Sequence, residues 1–163
     1  MRTSSKIFLL VIAIAVVVLL IVTHHSVPQS PEAQIASQIN TAVAAANRND
    51  ANGVMSIISA HYHDENGYTN DLIHGLLIHA MRGRPSDRVS LTGNDITVQG
   101  DTATSEGYLL VVDAQSGRSL YSRQISLRWQ KEPARSFLIF PTSVWHVVSA
   151  SYGSIGADAD FGI

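Results

Sequence analysis

Residues 119–131 read SLYSRQISLRWQK, and their alternation decides the fold class. The apolar residues Tyr121, Ile125, Leu127 and Trp129 alternate with polar ones, and Arg123 alone interrupts the apolar side. Because successive side chains of a strand point to opposite faces, this pattern predicts a strand with one buried and one solvent-exposed face. Strands of this kind are typical of antiparallel sheets that pack one face on a core.

The neighbouring sequence contains further strand patterns separated by turn signals. Predicted strands cover residues 88–91, 95–99, 102–113, 119–131, 137–140 and 144–152, the first two forming either one bent strand or two short ones. Predicted turns are Gly100-Asp101, residues 115–117 and residues 132–135. Gly and Asp in these positions favour tight turns between strands, so a strand meander is expected.

The chain before residue 88 has helical periodicity instead. Pro31 is typical of the first helical position, and Ile35, Ile39 and Val43 recur every four residues. Two further helices are predicted, a short one capped by Asp50 and a longer one between Thr69 and Gly83. Helices followed by strands predict an α+β fold, with three N-terminal helices packed on a curved antiparallel sheet.

Residues 7–23 form an apolar segment without a charged residue or a helix breaker. This length is at the short edge of the roughly 20 residues that span a bilayer as a helix. Arg2 and Lys6 precede the segment and favour a cytoplasmic N-terminus. We therefore predict one transmembrane helix that contacts lipid. Its expected lipid-facing residues include Ile7, Phe8, Leu19, Leu20 and Val22.

A cleaved signal peptide is the alternative interpretation of this segment. Such peptides have apolar regions of roughly 7–15 residues that end in small residues, whereas residues 22–26 read VTHHS. We therefore favour an uncleaved single-pass anchor. The expected organisation is residues 1–6 in the cytoplasm, 7–23 in the membrane, 24–31 as linker, 32–152 as a periplasmic or extracellular domain and 153–163 as a flexible tail.

Composition excludes several classes of function. The chain has no cysteine, so disulfides and thiolate metal sites are impossible. It carries 11 Lys and Arg residues against 13 Asp and Glu, and two of the basic residues precede the apolar segment. The domain is therefore acidic, which argues against a nucleic-acid partner.

Four local features, in order along residues 32–152, resemble the nuclear transport factor 2-like superfamily, which includes polyketide cyclases and steroid isomerases. They are residues 49–54 (NDANGV), 62–67 (YHDENG), 100–104 (GDTAT), and 127–132 (LRWQKE) with 145–150 (WHVVSA). The sequence departs from the family pattern in residues 134–144, which separate the last two of these segments. The resemblance implies a cone-shaped α+β fold with a pocket, and often a dimer, but no single chemistry.

The resemblance also implies candidate site residues. In the family's enzymes an Asp, or an Asp–His pair, often lies in the pocket, so Asp64 with His63 or His79 is the candidate for acid–base catalysis. The alternative is that Asp64 caps a turn and His79 covers a helix edge. Tyr62, Tyr108 and Tyr121 are candidates for a ligand pocket.

Two histidines at alternate positions, His61 and His63, would suit a metal-binding pair. No other local metal-binding motif accompanies them, so we expect no metal and no cofactor.

Residues 137–141, FLIFP, are apolar on both sides of an extended chain. Phe137, Leu138, Ile139 and Phe140 are therefore either the start of a buried strand or an exposed interface for a partner protein or a second copy. The favoured function is a membrane-anchored extracytoplasmic binding or interaction module, an accessory protein of a membrane complex. The alternative is a pocket enzyme of the isomerase, cyclase or dehydratase type that acts on a small apolar substrate.

Overall fold

The computed structural model describes residues 29–83, 85–134 and 142–153. In these ranges the helices are α1 (Pro31–Ala46), α2 (Ala51–Met55) and α3 (Asn70–Gly83), and the strands are β1 (Asp87–Gln99), β2 (Thr102–Asp113), β3 (Ser119–Ala134) and β4 (Thr142–Tyr152). The strands form one curved antiparallel sheet in the order β1-β2-β3-β4. The predicted α+β fold, with helices first and a strand meander afterwards, is confirmed.

Strand β1 settles the choice between one bent strand and two short ones. It is a single strand whose pairing with β2 shifts register between Thr92 and Asp95. Gly93 lies in this irregularity at a φ of 68°, a conformation that glycine adopts without a steric penalty. The irregularity bends the strand and so helps the sheet to curve around the helices.

The predicted turn at residues 132–135 is wrong for its first three residues. Glu132, Pro133 and Ala134 belong to β3 and pair with the start of β4. The N–H of Lys131 points toward the β2 side of the strand and donates to the Asp101 carbonyl. The nitrogen of Pro133, two residues further, faces the same side. There β2, whose first residue is Thr102, no longer runs beside β3. A proline fits there because no strand requires its missing N–H.

The core lies between α1 and the concave face of the sheet. Trp129 and Trp145 are completely or almost completely buried, as is Ile35 on α1. Asn47, directly after α1, ties the helix to the sheet: its side-chain amide donates to the Val89 carbonyl (2.9 Å) and accepts from the Val89 N–H (2.8 Å). The side chain thus replaces a neighbouring strand at the free edge of β1.

Several predicted segments fall outside the described residues. These are the cytoplasmic residues 1–6, the anchor at residues 7–23, the linker up to residue 28, the apolar segment Phe137–Phe140 and the tail from residue 154. In the described ranges, no helix combines the length and the apolar character needed to cross a bilayer.

Candidate functional site: an apolar cavity

A cavity of about 380 Å³ lies between the helices and the concave face of the sheet. This volume falls in the range of roughly 300–1,000 Å³ that is typical of small-molecule sites. The sheet contributes Val89, Leu91, Leu109, Val111, Ile125 and Leu127, and the helical part of the chain contributes Ile39, Ala42, Val43, Ala46, Val54, Ile57, Leu77, Ala80 and Met81. Such a wall attracts apolar molecules through the hydrophobic effect.

Small side chains and a loosely packed helix keep this cavity open. Ala42 and Ala46 on α1 present only a methyl group to it, as does Ala80 on α3. Helix α3 has no fully buried residue, and Leu76 on this helix is 50% exposed. Since α3 does not fill the space above the sheet, the volume remains available to another molecule.

Two polar residues, Asn49 and Asp87, complete the cavity wall. Asn49 has a φ of 57°, and its side-chain amide donates to the Pro85 carbonyl at 3.1 Å. This bond uses a donor of Asn49 to fix the segment that enters β1. Asp87 is the first residue of β1 and contributes a carboxylate to the same end of the cavity.

Asp64, the candidate general acid or base, is 3% exposed and is held by hydrogen bonds. Its Oδ1 accepts from the N–H groups of Asn66 (2.9 Å) and Tyr68 (3.0 Å), and its Oδ2 accepts from the Tyr62 hydroxyl (3.2 Å). Asp64 is not among the residues that line the cavity. Its geometry is that of a turn-capping residue.

Two tyrosines near Asp64, Tyr62 and Tyr152, have a raised pKa. Burial raises the pKa of the Tyr62 hydroxyl, and Tyr152 and Asp64 nearby raise it further. Burial also raises the pKa of Tyr152, with further contributions from Asp64, Tyr121 and Tyr68. Both hydroxyls are therefore neutral at physiological pH and serve as hydrogen-bonding groups.

The candidate histidines lie apart from the cavity in the described structure. His63 is exposed, and its backbone N–H donates to the Val148 carbonyl at 3.0 Å. His61 and His79 are also exposed, His79 on α3. Among the described residues, no three His, Asp or Glu side chains come together in a way that could hold a metal ion.

The three candidate pocket tyrosines also lie elsewhere than the cavity wall. Tyr62 is 3% exposed and belongs to the core beside Trp129, whereas Tyr108 is 56% exposed. Tyr121 pairs with Val111, a cavity residue, and so stands on the concave face next to the cavity. Among the described residues, aliphatic side chains form most of the wall, and Met81, Asn49 and Asp87 complete it.

A second polar cluster joins the segment before α3 to the sheet. The Ser59 hydroxyl donates to Glu132 Oε1 at 2.6 Å, and His146 Nδ1 lies 3.0 Å from Glu132 Oε2. A serine nucleophile requires a base such as imidazole within hydrogen-bond distance, whereas here the carboxylate lies between the serine and the imidazole. The cluster therefore holds the segment around Ser59 against β3 and β4 and has no nucleophile–base pair.

Sequence reasoning missed the cavity residues because they carry no distinctive signal. Ala42, Val43 and Leu127 follow the same helical and strand periodicity as core residues such as Ile35 and Trp129. Periodicity reports which face is apolar, but whether that face meets another side chain or empty space depends on the tertiary packing.

No protein-family model matches this sequence, and no curated protein matches it. Solved structures do match. A nuclear transport factor 2-like protein with a cystatin-like fold from Novosphingobium aromaticivorans is 19% identical, with a TM-score of 0.59 over 77% of this chain and 82% of that one.

Two further solved structures agree with the first. A nuclear transport factor 2-like protein of unknown function from Pseudomonas putida is 11% identical, with a TM-score of 0.61 over 74% of this chain and 84% of that one. A nuclear transport factor 2-like superfamily protein from Salmonella enterica is 16% identical, with a TM-score of 0.56 over 81% and 96%. At these identities the comparisons establish the nuclear transport factor 2-like fold.

Proposed function

We propose that this domain is a binding module that holds a small apolar molecule in the cavity and does not convert it. The observation that carries the proposal is the aliphatic wall of a cavity of about 380 Å³. We also propose that the chain is a member of the nuclear transport factor 2-like superfamily, on the strength of the fold and the order of its four sequence features.

The position of Asp64 favours binding over catalysis. A general acid or base has to reach the proton that it transfers, directly or through one water. The carboxylate oxygens of Asp64 accept hydrogen bonds from two backbone N–H groups and the Tyr62 hydroxyl. His63 and His79 are exposed and do not line the cavity. The Asp64–His63 or Asp64–His79 pair of the enzyme alternative therefore does not lie at the cavity, where Asp87 is the carboxylate among the described wall residues.

Filling the cavity tests the proposal directly. Ala80 lines the cavity but is exposed, so Ala80→Phe should place a ring in the cavity without disturbing the buried core. At about 0.3 kcal/mol per non-hydrogen atom, a probe such as 4-phenylbutanol should bind the unchanged protein with a Kd of roughly a few millimolar. We expect Ala80→Phe to weaken this binding about tenfold or more, measured by calorimetry on the full-length chain in lipid nanodiscs.

The control is Ala44→Phe, which adds the same ring at an exposed position of α1 outside the cavity wall. It should bind 4-phenylbutanol as the unchanged protein does, and empty nanodiscs supply the background. Equal binding by both variants, with folded circular dichroism spectra, would contradict the cavity as the binding site.

The second part of the proposal is the location of this module. We propose that residues 7–23 anchor it to the membrane with the domain in the periplasm or outside the cell, as the apolar sequence and the preceding Arg2 and Lys6 favour. A reporter that is active only outside the cytoplasm, fused after Ile163, should be active. Activity of a cytoplasm-dependent reporter at the same position would reverse the orientation. Phe137–Phe140 as a contact with a partner protein in a membrane complex stays a prediction of the sequence.

A further inference from the structure

Arg123 interrupts an otherwise apolar or aromatic row on the concave face of β3. The row consists of Tyr121, Arg123, Ile125, Leu127 and Trp129, of which Ile125 and Leu127 line the cavity. The cross-strand partner of Arg123 is Leu109, which also lines the cavity. Since paired residues on adjacent strands point to the same face, the Arg123 side chain stands on the concave face beside the cavity.

The surroundings of the Arg123 guanidinium hold it in place without neutralising it. Its central carbon lies 5.5 Å from the centre of the Tyr121 ring, a cation–π contact. Arg123 is half-buried, and no carboxylate of the described residues lies within 4 Å of it. The pairing of β4 with β3 begins at Ile125 and Tyr152, so the described part of β4 does not run beside Arg123.

The acidic residue of the cavity wall is well separated from this cation. Asp87 lies on β1, two strands away from β3, which corresponds to roughly 10 Å across the sheet. It also lies four residues along β1 from Leu91, whose pairing with Leu109 marks the row of Arg123, and this adds roughly 13 Å along the strand. The two charges therefore belong to different ends of the cavity.

We propose that the ligand is an amphipathic carboxylic acid, whose apolar body fills the cavity and whose carboxylate pairs with Arg123. This inference rests on the proposed binding function and specifies the class of its ligand. A planar guanidinium presents N–H groups in a fork that matches the two oxygens of a carboxylate. The cation–π contact with Tyr121 keeps this fork beside the cavity, so the cation selects among molecules that the cavity alone would accept equally.

The test compares two probes of the same shape, 4-phenylbutyrate and 4-phenylbutanol, which differ in the charged group. Both are titrated by calorimetry into the full-length chain in lipid nanodiscs. We expect the acid to bind about tenfold tighter than the alcohol or more, because a hydrogen-bonded pair with a charged partner in a half-buried site contributes this much. In Arg123→Gln the acid should fall to the affinity of the alcohol, and the affinity of the alcohol should stay within about twofold of the unchanged protein.

The matched control is Arg128→Gln on the same strand. Arg128 is exposed and lies at an odd spacing from Arg123, hence on the opposite face, so this change removes an equal charge away from the cavity. It should leave the preference for the acid intact. Equal loss in both variants would assign the preference to net charge and overturn the proposal.

The remaining outcomes separate this inference from the function on which it rests. If both probes bind equally to the unchanged protein and Ala80→Phe weakens both, the cavity binds apolar molecules and the carboxylate assignment is wrong. If neither probe binds, the proposed binding function and this inference both fail.

Discussion

Replacing Trp129 by alanine should lower the free energy of unfolding by about 3–5 kcal/mol, the usual cost of removing a fully buried indole from a core. Trp129 is completely buried on β3, and its Nε1–H donates to the Ser105 hydroxyl at 2.9 Å. The substitution leaves a cavity and a buried hydroxyl without its donor. Urea unfolding of the full-length chain in mild detergent, followed by circular dichroism, measures the change.

A pair of milder variants separates packing from hydrogen bonding. Trp129→Phe and Trp145→Phe each remove an indole N–H from a nearly inaccessible core position. The Trp145 Nε1 has no hydrogen-bond partner among the described atoms, whereas the Trp129 Nε1 is bonded to Ser105. Trp129→Phe should therefore destabilise the protein by about 1–3 kcal/mol more than Trp145→Phe. Equal costs would show that the bond to Ser105 contributes nothing.

Replacing Asp64 by alanine should lower the free energy of unfolding by about 2–4 kcal/mol, since one buried carboxylate accepts three hydrogen bonds. The loss leaves the Tyr62 hydroxyl and the N–H groups of Asn66 and Tyr68 without their acceptor. The same denaturant measurement detects it. A shift of this size identifies Asp64 as a residue that fixes the turn before α3.

Asp64→Asn is the conservative control. Its side-chain oxygen still accepts from the backbone N–H groups, whereas the hydrogen bond to Tyr62 is weakened. Asp64→Asn should therefore lower the free energy of unfolding by less than half as much as Asp64→Ala. Binding of 4-phenylbutanol by Asp64→Asn should equal that of the unchanged protein, because Asp64 does not line the cavity. A stable variant that lost this binding would instead place Asp64 in the site.

Most of the architecture follows from local sequence patterns, and particular residues show why. Pro31 begins α1, and Asp50 caps α2 by accepting from the Gly53 N–H at 2.9 Å. The alternation of residues 119–131 matches β3, in which Trp129 and Ile125 are buried. Each of these signals acts within a few residues, so the sequence alone carries it.

Local signals were insufficient where a distant strand decides the outcome. Pro133 resembles a turn residue, yet it extends β3 because Ser143 of β4 pairs with it. Asn47 resembles the last residue of a helix, yet its amide pairs with the backbone of Val89. Neither partner is adjacent in the chain, so neither contact has a local pattern.

The sequence by itself determined the order of helices and strands, the apolar faces of α1 and β3 and the acidic charge of the domain, because periodicity and composition are local properties. Only the tertiary structure decided that the apolar faces of α1, α3 and the sheet border this cavity, and that Arg123 stands beside it while Asp64 does not. A core and a cavity wall have the same periodicity, and the difference is the space that packing leaves between them.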